Sequence, residues 1–115
     1  METDGYKIRD QSKPYYITFT VVDWVDIFTR QVYKDIIIEN LNYCIKENSL
    51  IVFGYVIMSN HLHLIIQSKE NNLSGLIRDL KKFTAKAIIN QIKTEKESRR
   101  EWMLALFSKA TKTHN

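Results

Sequence analysis

Between Leu50 and Ile66 the chain is apolar almost throughout, and the only polar break is Ser59-Asn60. Leu50 to Met58 (LIVFGYVIM) is rich in β-branched and aromatic residues and reads as a strand. His61 to Ile66 (HLHLII) reads as a second. A two-residue break suits a tight hairpin, although Ser-Asn is not a favoured turn pair. Side chains alternate between the faces of a strand. His61 and His63 therefore share one face, while Leu62, Leu64 and Ile66 share the other. Gly54, in the middle of the first strand, marks either a bulge or a close approach by another group.

The remaining elements follow from changes in period. Tyr15 to Val22 (YYITFTVV) is a third strand, with Tyr15, Ile17, Phe19 and Val21 on one face and Tyr16, Thr18 and Thr20 on the other. Asp23 to Thr29 is a connection in which Trp24, Ile27 and Phe28 pack locally, and Asp26 or Thr29 is a candidate cap. Arg30 to Glu47 turns helical, with Tyr33, Ile36, Ile37, Leu41, Cys44 and Ile45 on one stripe and Asn48-Ser49 at its end. A second helix runs from a cap at Asn72 or Ser74 to about Thr94, burying Leu73, Leu76, Ile77, Leu80, Ala87 and Ile88. After a charged break from Glu95 to Arg100, a short amphipathic helix spans Glu101 to Lys109.

The order β-α-β-β-α with a terminal α is an α+β fold, the ferredoxin-like split β-α-β arrangement without its last strand. The sheet is expected to be antiparallel with helices on one face. His61 and His63 then lie on the open face. The domain reading is a flexible N-terminal arm over 1–13, one domain over 14–109 and a polar tail over 110–115.

Composition excludes several classes. At 115 residues there is room for one domain, and an apolar share of 44% gives it a core. A single cysteine, Cys44, rules out an internal disulfide framework and a Cys-x-x-Cys zinc site. No apolar run is long enough to span a bilayer, and the start Met-Glu-Thr-Asp-Gly does not read as a signal peptide. A cytoplasmic protein is expected. The net charge of +4 is mildly basic, which by itself is weak support for a polyanionic partner.

Two imidazoles on one strand face make half of a metal site, since neutral imidazole is a common ligand for transition metals. The bare spacing is satisfied as well by one hydrogen-bonded and one exposed sheet histidine, and for an isolated His-x-His that reading is the stronger. Gln91, Glu95 and Glu101 are further ligand candidates by position only, and His114 falls in the tail. Arg78, Lys81, Lys82 and Lys86 are spaced to place several cations on one helix face, suited to phosphate contacts or simply to solvent.

The full string Met58-Ser59-Asn60-His61-Leu62-His63-Leu64-Ile65-Ile66 resembles the His-hydrophobic-His signature of the HUH superfamily. More narrowly it is similar to the single-tyrosine, IS200-like transposases, including the REP-associated tyrosine transposases. Ile77-Arg78-Asp79-Leu80-Lys81-Lys82-Phe83-Thr84 and Glu97-Ser98-Arg99-Arg100-Glu101-Trp102-Met103 extend the resemblance. It implies binding of single-stranded or hairpin DNA, and cleavage and rejoining through a phosphotyrosine intermediate. It also implies a divalent ion, magnesium or manganese, held by His61 and His63, DNA contacts from Asn60, Arg78, Lys81, Lys82 and Lys86, and a homodimer. One departure stands out. In the family the nucleophilic tyrosine follows the histidines, whereas all six tyrosines here precede His61. The expectation is an incomplete domain, lacking the last strand and the tyrosine helix, or a non-catalytic hairpin-DNA-binding remnant. Nothing in the motif supports Tyr16 as a substitute nucleophile.

Overall fold

The computed structural model describes residues 2–3, 8–21, 25–94 and 100–114, with side chains over 8–21, 25–94 and 100–109. Its elements are β1 (Glu2–Thr3), β2 (Tyr15–Thr20), a 3-10 turn (Ile27–Thr29), α1 (Gln31–Glu47), β3 (Leu50–Ile57), β4 (His61–Ser68), α2 (Leu73–Thr94) and α3 (Arg100–His114). The sheet order is β1-β2-β4-β3. β4 runs antiparallel to both β2 and β3. β2 and β3 are therefore parallel to each other with β4 between them and α1 as their crossover. This is the split β-α-β arrangement, α+β, that the periodicity predicts.

One face of the sheet is covered. Ile17 and Phe19 of β2 and Leu62, Leu64 and Ile66 of β4 are all at most 2% exposed. They join Tyr33, Ile37, Leu41 and Cys44 of α1 and Leu73, Leu76, Leu80, Ile88 and Ile92 of α2 in one core. The helices thus lie on the side that the strand alternation assigns to the apolar residues. On the other side Tyr16, Val56 and Ile65 stay exposed. Ile27 and Phe28 are fully buried, as expected of a local apolar patch. Trp24 and Val22 lie outside the described residues.

Local chemistry explains the element ends. Arg30, in extended backbone, precedes α1, and neither Asp26 nor Thr29 caps the helix with its side chain. Thr29 instead turns its hydroxyl back to donate to the Asp26 carbonyl at 3.0 Å, closing the 3-10 turn. After α1, Ser49 takes a left-handed φ of 60° that lets the chain reverse into β3. Lys69 N–H donates to its carbonyl. Gly54 marks a bulge: Val52 pairs with Ile66 and Gly54 with Ile65, leaving Phe53 as the extra residue. It does not mark a close approach, because an added Cβ would meet nothing within 4 Å.

The β3–β4 turn has no positive φ at Ser59 or Asn60 and is not the usual hairpin type. It is held from outside. Val21 N–H donates to the Asn60 carbonyl and Phe28 N–H to the Ser59 carbonyl, each at 2.9 Å. These bonds replace the backbone preference that Ser-Asn lacks.

Residues 8–13 are tied to the body. Gln11 accepts from Ser74 N–H at 2.8 Å and donates to Ser74 Oγ at 2.9 Å, while Gln67 donates to the Ser12 carbonyl at 2.6 Å. Gln11 therefore satisfies a first-turn donor of α2. At the other end α3 passes Lys109 and runs to His114, where a polar tail is expected. The extension contains no glycine or proline, so a helix anchored by buried Met103 and Phe107 meets no breaker.

Leu64 is fully buried at the centre of β4. Leu64→Ala is expected to destabilise the fold by about 3 kcal/mol, measured by urea denaturation, through lost burial and the cavity left behind.

Candidate functional site

The site stands on the open face of β4. His61 is paired with Thr20 of β2, and His63 lies between Thr18 of β2 and Val56 of β3. Directly paired residues in an antiparallel sheet share a face. The two imidazoles are side by side, with ring centroids 4.7 Å apart and planes at 87°. Both are half-buried.

Each ring is oriented through Nδ1. His61 Nδ1 lies 2.7 Å from Asn60 Oδ1. A carbonyl oxygen only accepts, so in this contact Nδ1 is the donor. His63 Nδ1 lies 2.5 Å from Tyr16 Oη and 3.2 Å from Thr18 Oγ1. The Tyr16 ring also stacks on His63, with centroids 5.5 Å apart and planes at 23°. Metal-ligating histidines commonly give their second nitrogen to such an oxygen, which fixes tautomer and ring direction. The pair therefore fits a cation held through Nε2 on the open face. Among the described residues no cluster of three or more His, Cys, Asp and Glu side chains completes a protein cage.

The other predicted ligands are elsewhere. Gln91 is on α2 and Glu101 is exposed on α3, which packs against α2. Glu95 and the His114 side chain lie outside the described residues. Asn60, expected at DNA, has its side-chain oxygen on His61.

The cations form a separate surface. Arg78, Lys82 and Lys86 are exposed along α2 in steps of four. Leu80, Thr84 and Ile88 are buried in the same steps, two residues away. Two residues are about 200° of helical turn. The basic stripe therefore points away from the packed side of α2, and it belongs to the helical layer, across the sheet from the histidines. Lys81 is half-buried beside it. Arg78 also meets Asp79 at 3.8 Å, an exposed pair that fixes little.

The strand alternation puts Tyr16 on the open face without giving it a role, and its hydroxyl is in direct contact with His63. The available signal was positional. Tyr16 lies two residues from Thr18 on the same strand face, within diagonal reach of a residue paired with Thr18.

The fold and the histidine pair define an α+β domain that holds two oriented imidazoles on the sheet face away from the described helices. The model of the family described as transposase IS200-like matches residues 12–114, so the chain belongs to that family and to the proteins of DNA transposition. The family is generally metal-dependent, and membership implies DNA as the partner. No curated protein and no solved structure matches the chain. Among the described residues no helix is long and apolar enough to cross a membrane.

Cys44, the one thiol, is 1% exposed in the core. Burial pushes its pKa up, against a smaller opposing effect of the Asn48 hydrogen bond. It is no nucleophile in the folded chain. Native protein at pH 8 is expected to resist a thiol-reactive dye, and denatured protein to react fully. Unfolding returns the thiol to its ordinary value. The stability that its protonated form contributes is full below that value and is lost as pH rises through the raised one.

Proposed function

We propose that this chain is a transposase domain that takes part in cleaving and rejoining single-stranded or hairpin DNA, with the nucleophilic tyrosine not found among its own residues. His61 and His63 hold a divalent cation at the scissile phosphate. The observation that carries this reading is the orientation of the two rings: each Nδ1 is engaged by a neighbouring oxygen, and the rings stand side by side on the open face.

When bound, the cation would supply Lewis-acid polarisation of the phosphoryl oxygens. The residues of the chain do the rest of what is proposed here. Asn60 and Tyr16 orient the imidazoles, and Arg78, Lys82 and Lys86, with Lys81 beside them, contact phosphates from the helical layer. A two-imidazole donor set fits manganese better than magnesium, which prefers oxygen ligands and gives up its waters reluctantly. By the family resemblance the attacking oxygen belongs to a tyrosine: its bond to the 5′ phosphate forms as the bond from phosphorus to the 3′ oxygen breaks and leaves a 3′ hydroxyl, and attack by such a hydroxyl later releases the tyrosine, so strands rejoin without an external energy source. None of the six tyrosines in this chain is proposed for that role.

A second reading is favoured by one observation. The basic stripe is exposed in the helical layer and the histidines stand on the other face of the sheet, so DNA can be gripped without them. In that reading the chain is a hairpin-binding remnant.

Two measurements separate the readings. Calorimetric titration with Mn²⁺ is expected to show one site, lost in His61→Ala and in His63→Ala; no binding to the wild-type chain would remove the metal role. Fluorescence anisotropy with a hairpin oligonucleotide is expected to show affinity that falls with salt. Lys82→Ala and Lys86→Ala should each weaken it several-fold and lower the salt slope by about one. Hairpin binding that survives the loss of both histidines, together with no Mn²⁺ site, would favour the remnant.

A further inference from the structure

We propose that Tyr16 is a positioning residue for His63, with Thr18 as its helper. In this proposal the Tyr16 hydroxyl oxygen accepts the His63 Nδ1 proton and holds the ring with its Nε2 lone pair turned to the cation. The proposal rests on the metal role proposed above and adds a residue to it.

Three observations lead there. Tyr16 is 51% exposed on a sheet face that none of the described helices covers, so core packing does not fix its rotamer. Its side chain nevertheless makes two contacts with one partner: Oη lies 2.5 Å from Nδ1, and the ring stacks at 23° on the imidazole. The contact crosses the β2–β4 ladder diagonally, since Tyr16 is paired with Ile65 and His63 with Thr18. A phenol is long enough to span that diagonal.

Thr18, directly opposite His63 and 7% exposed, brings a second hydroxyl to the same nitrogen at 3.2 Å. Hydroxyl oxygens accept as well as donate, so both are able to take the Nδ1 proton. His61 shows the same polarity with an oxygen that only accepts, Asn60 Oδ1. The two rings are thus held in one sense by neighbours of different chemistry. A ring merely packed on the sheet would need the Tyr16 ring but not its oxygen.

Tyr16→Phe keeps the ring and removes the oxygen, and Thr18→Val removes the second hydroxyl at nearly constant shape. The full chain, metal-free at pH 8, is examined by long-range proton–nitrogen NMR of its histidines, and Mn²⁺ affinity is measured by calorimetry. In the wild type His63 is expected mainly as the Nδ1–H tautomer. Tyr16→Phe should shift His63 towards Nε2–H, leave the His61 signals in place, and weaken Mn²⁺ binding about tenfold. Thr18→Val should do the same to a smaller extent.

A His63 tautomer unchanged by Tyr16→Phe overturns the proposal. So does a shifted tautomer with unchanged Mn²⁺ affinity. If the wild type binds no Mn²⁺, the metal role fails. The NMR comparison then decides the Tyr16 contact by itself, because it needs no metal.

Discussion

The pairing of β4 between β2 and β3 is the constraint on which the other features depend. Strand residues alternate between faces, so the register that buries Leu62, Leu64 and Ile66 also fixes where His61 and His63 stand. A slip by one residue would expose three aliphatic side chains and drive both imidazoles into the core. At about 1.5–3 kcal/mol for each buried side chain, the slip would cost about as much as the stability of a whole domain. The position of the histidines is inherited from the core and needs no interaction of its own. Their orientation is a separate matter, set by Asn60, Tyr16 and Thr18.

The turn shows how the two levels join. Ser59 and Asn60 lack the backbone preference of a self-sufficient hairpin, and backbone donors from Val21 and Phe28 hold them. Val21 follows β2, and Phe28 belongs to the buried 3-10 turn before α1. The connection between β2 and α1 is therefore also the support of the β3–β4 turn. Asn60 sits in that support and its side chain meets His61. A change that loosens the packing of Ile27 and Phe28 would reach the imidazole through backbone hydrogen bonds, with no contact to it.

The three long strands and the first two helices are legible in the sequence because each carries its own period; β1, two residues inside what reads as a flexible arm, carries none. The strands at Tyr15, Leu50 and His61 alternate by two, and the helices that begin at Gln31 and Leu73 repeat by three and four. The face of the histidines was legible for the same reason. Partners far apart in the chain were not. Gln11 satisfies Ser74 N–H across 63 residues, and no local pattern around either residue announces it. Tyr16 meets His63 across 47 residues through a side-chain rotamer, which periodicity does not specify. The continuation of α3 to His114 is hidden for the opposite reason: a polar composition reads as a stop, whereas a helix stops at a breaker or a cap.

The same layering that orders the core separates the two proposed contacts with DNA. A strand offers its second face by a period of two, and β4 uses it for imidazoles. A helix offers its outer face by steps of four, and α2 uses it for Arg78, Lys82 and Lys86. The core lies between those faces, so no side chain serves both. Affinity from charge and chemistry at the histidines can then vary independently, because changes on surfaces that share no partner add rather than couple. A nucleic acid that touches both must pass round an edge of the sheet. One edge is blunted by the β1 pair at Thr20 and Phe19, and the other is kinked by the Phe53 bulge. Phe53, the extra residue of the bulge, is 60% exposed on that second edge, while Tyr55, paired with Leu64, belongs to the helix side. In the proposed reading a strand that joins the histidines to the basic stripe would cross one of these two edges.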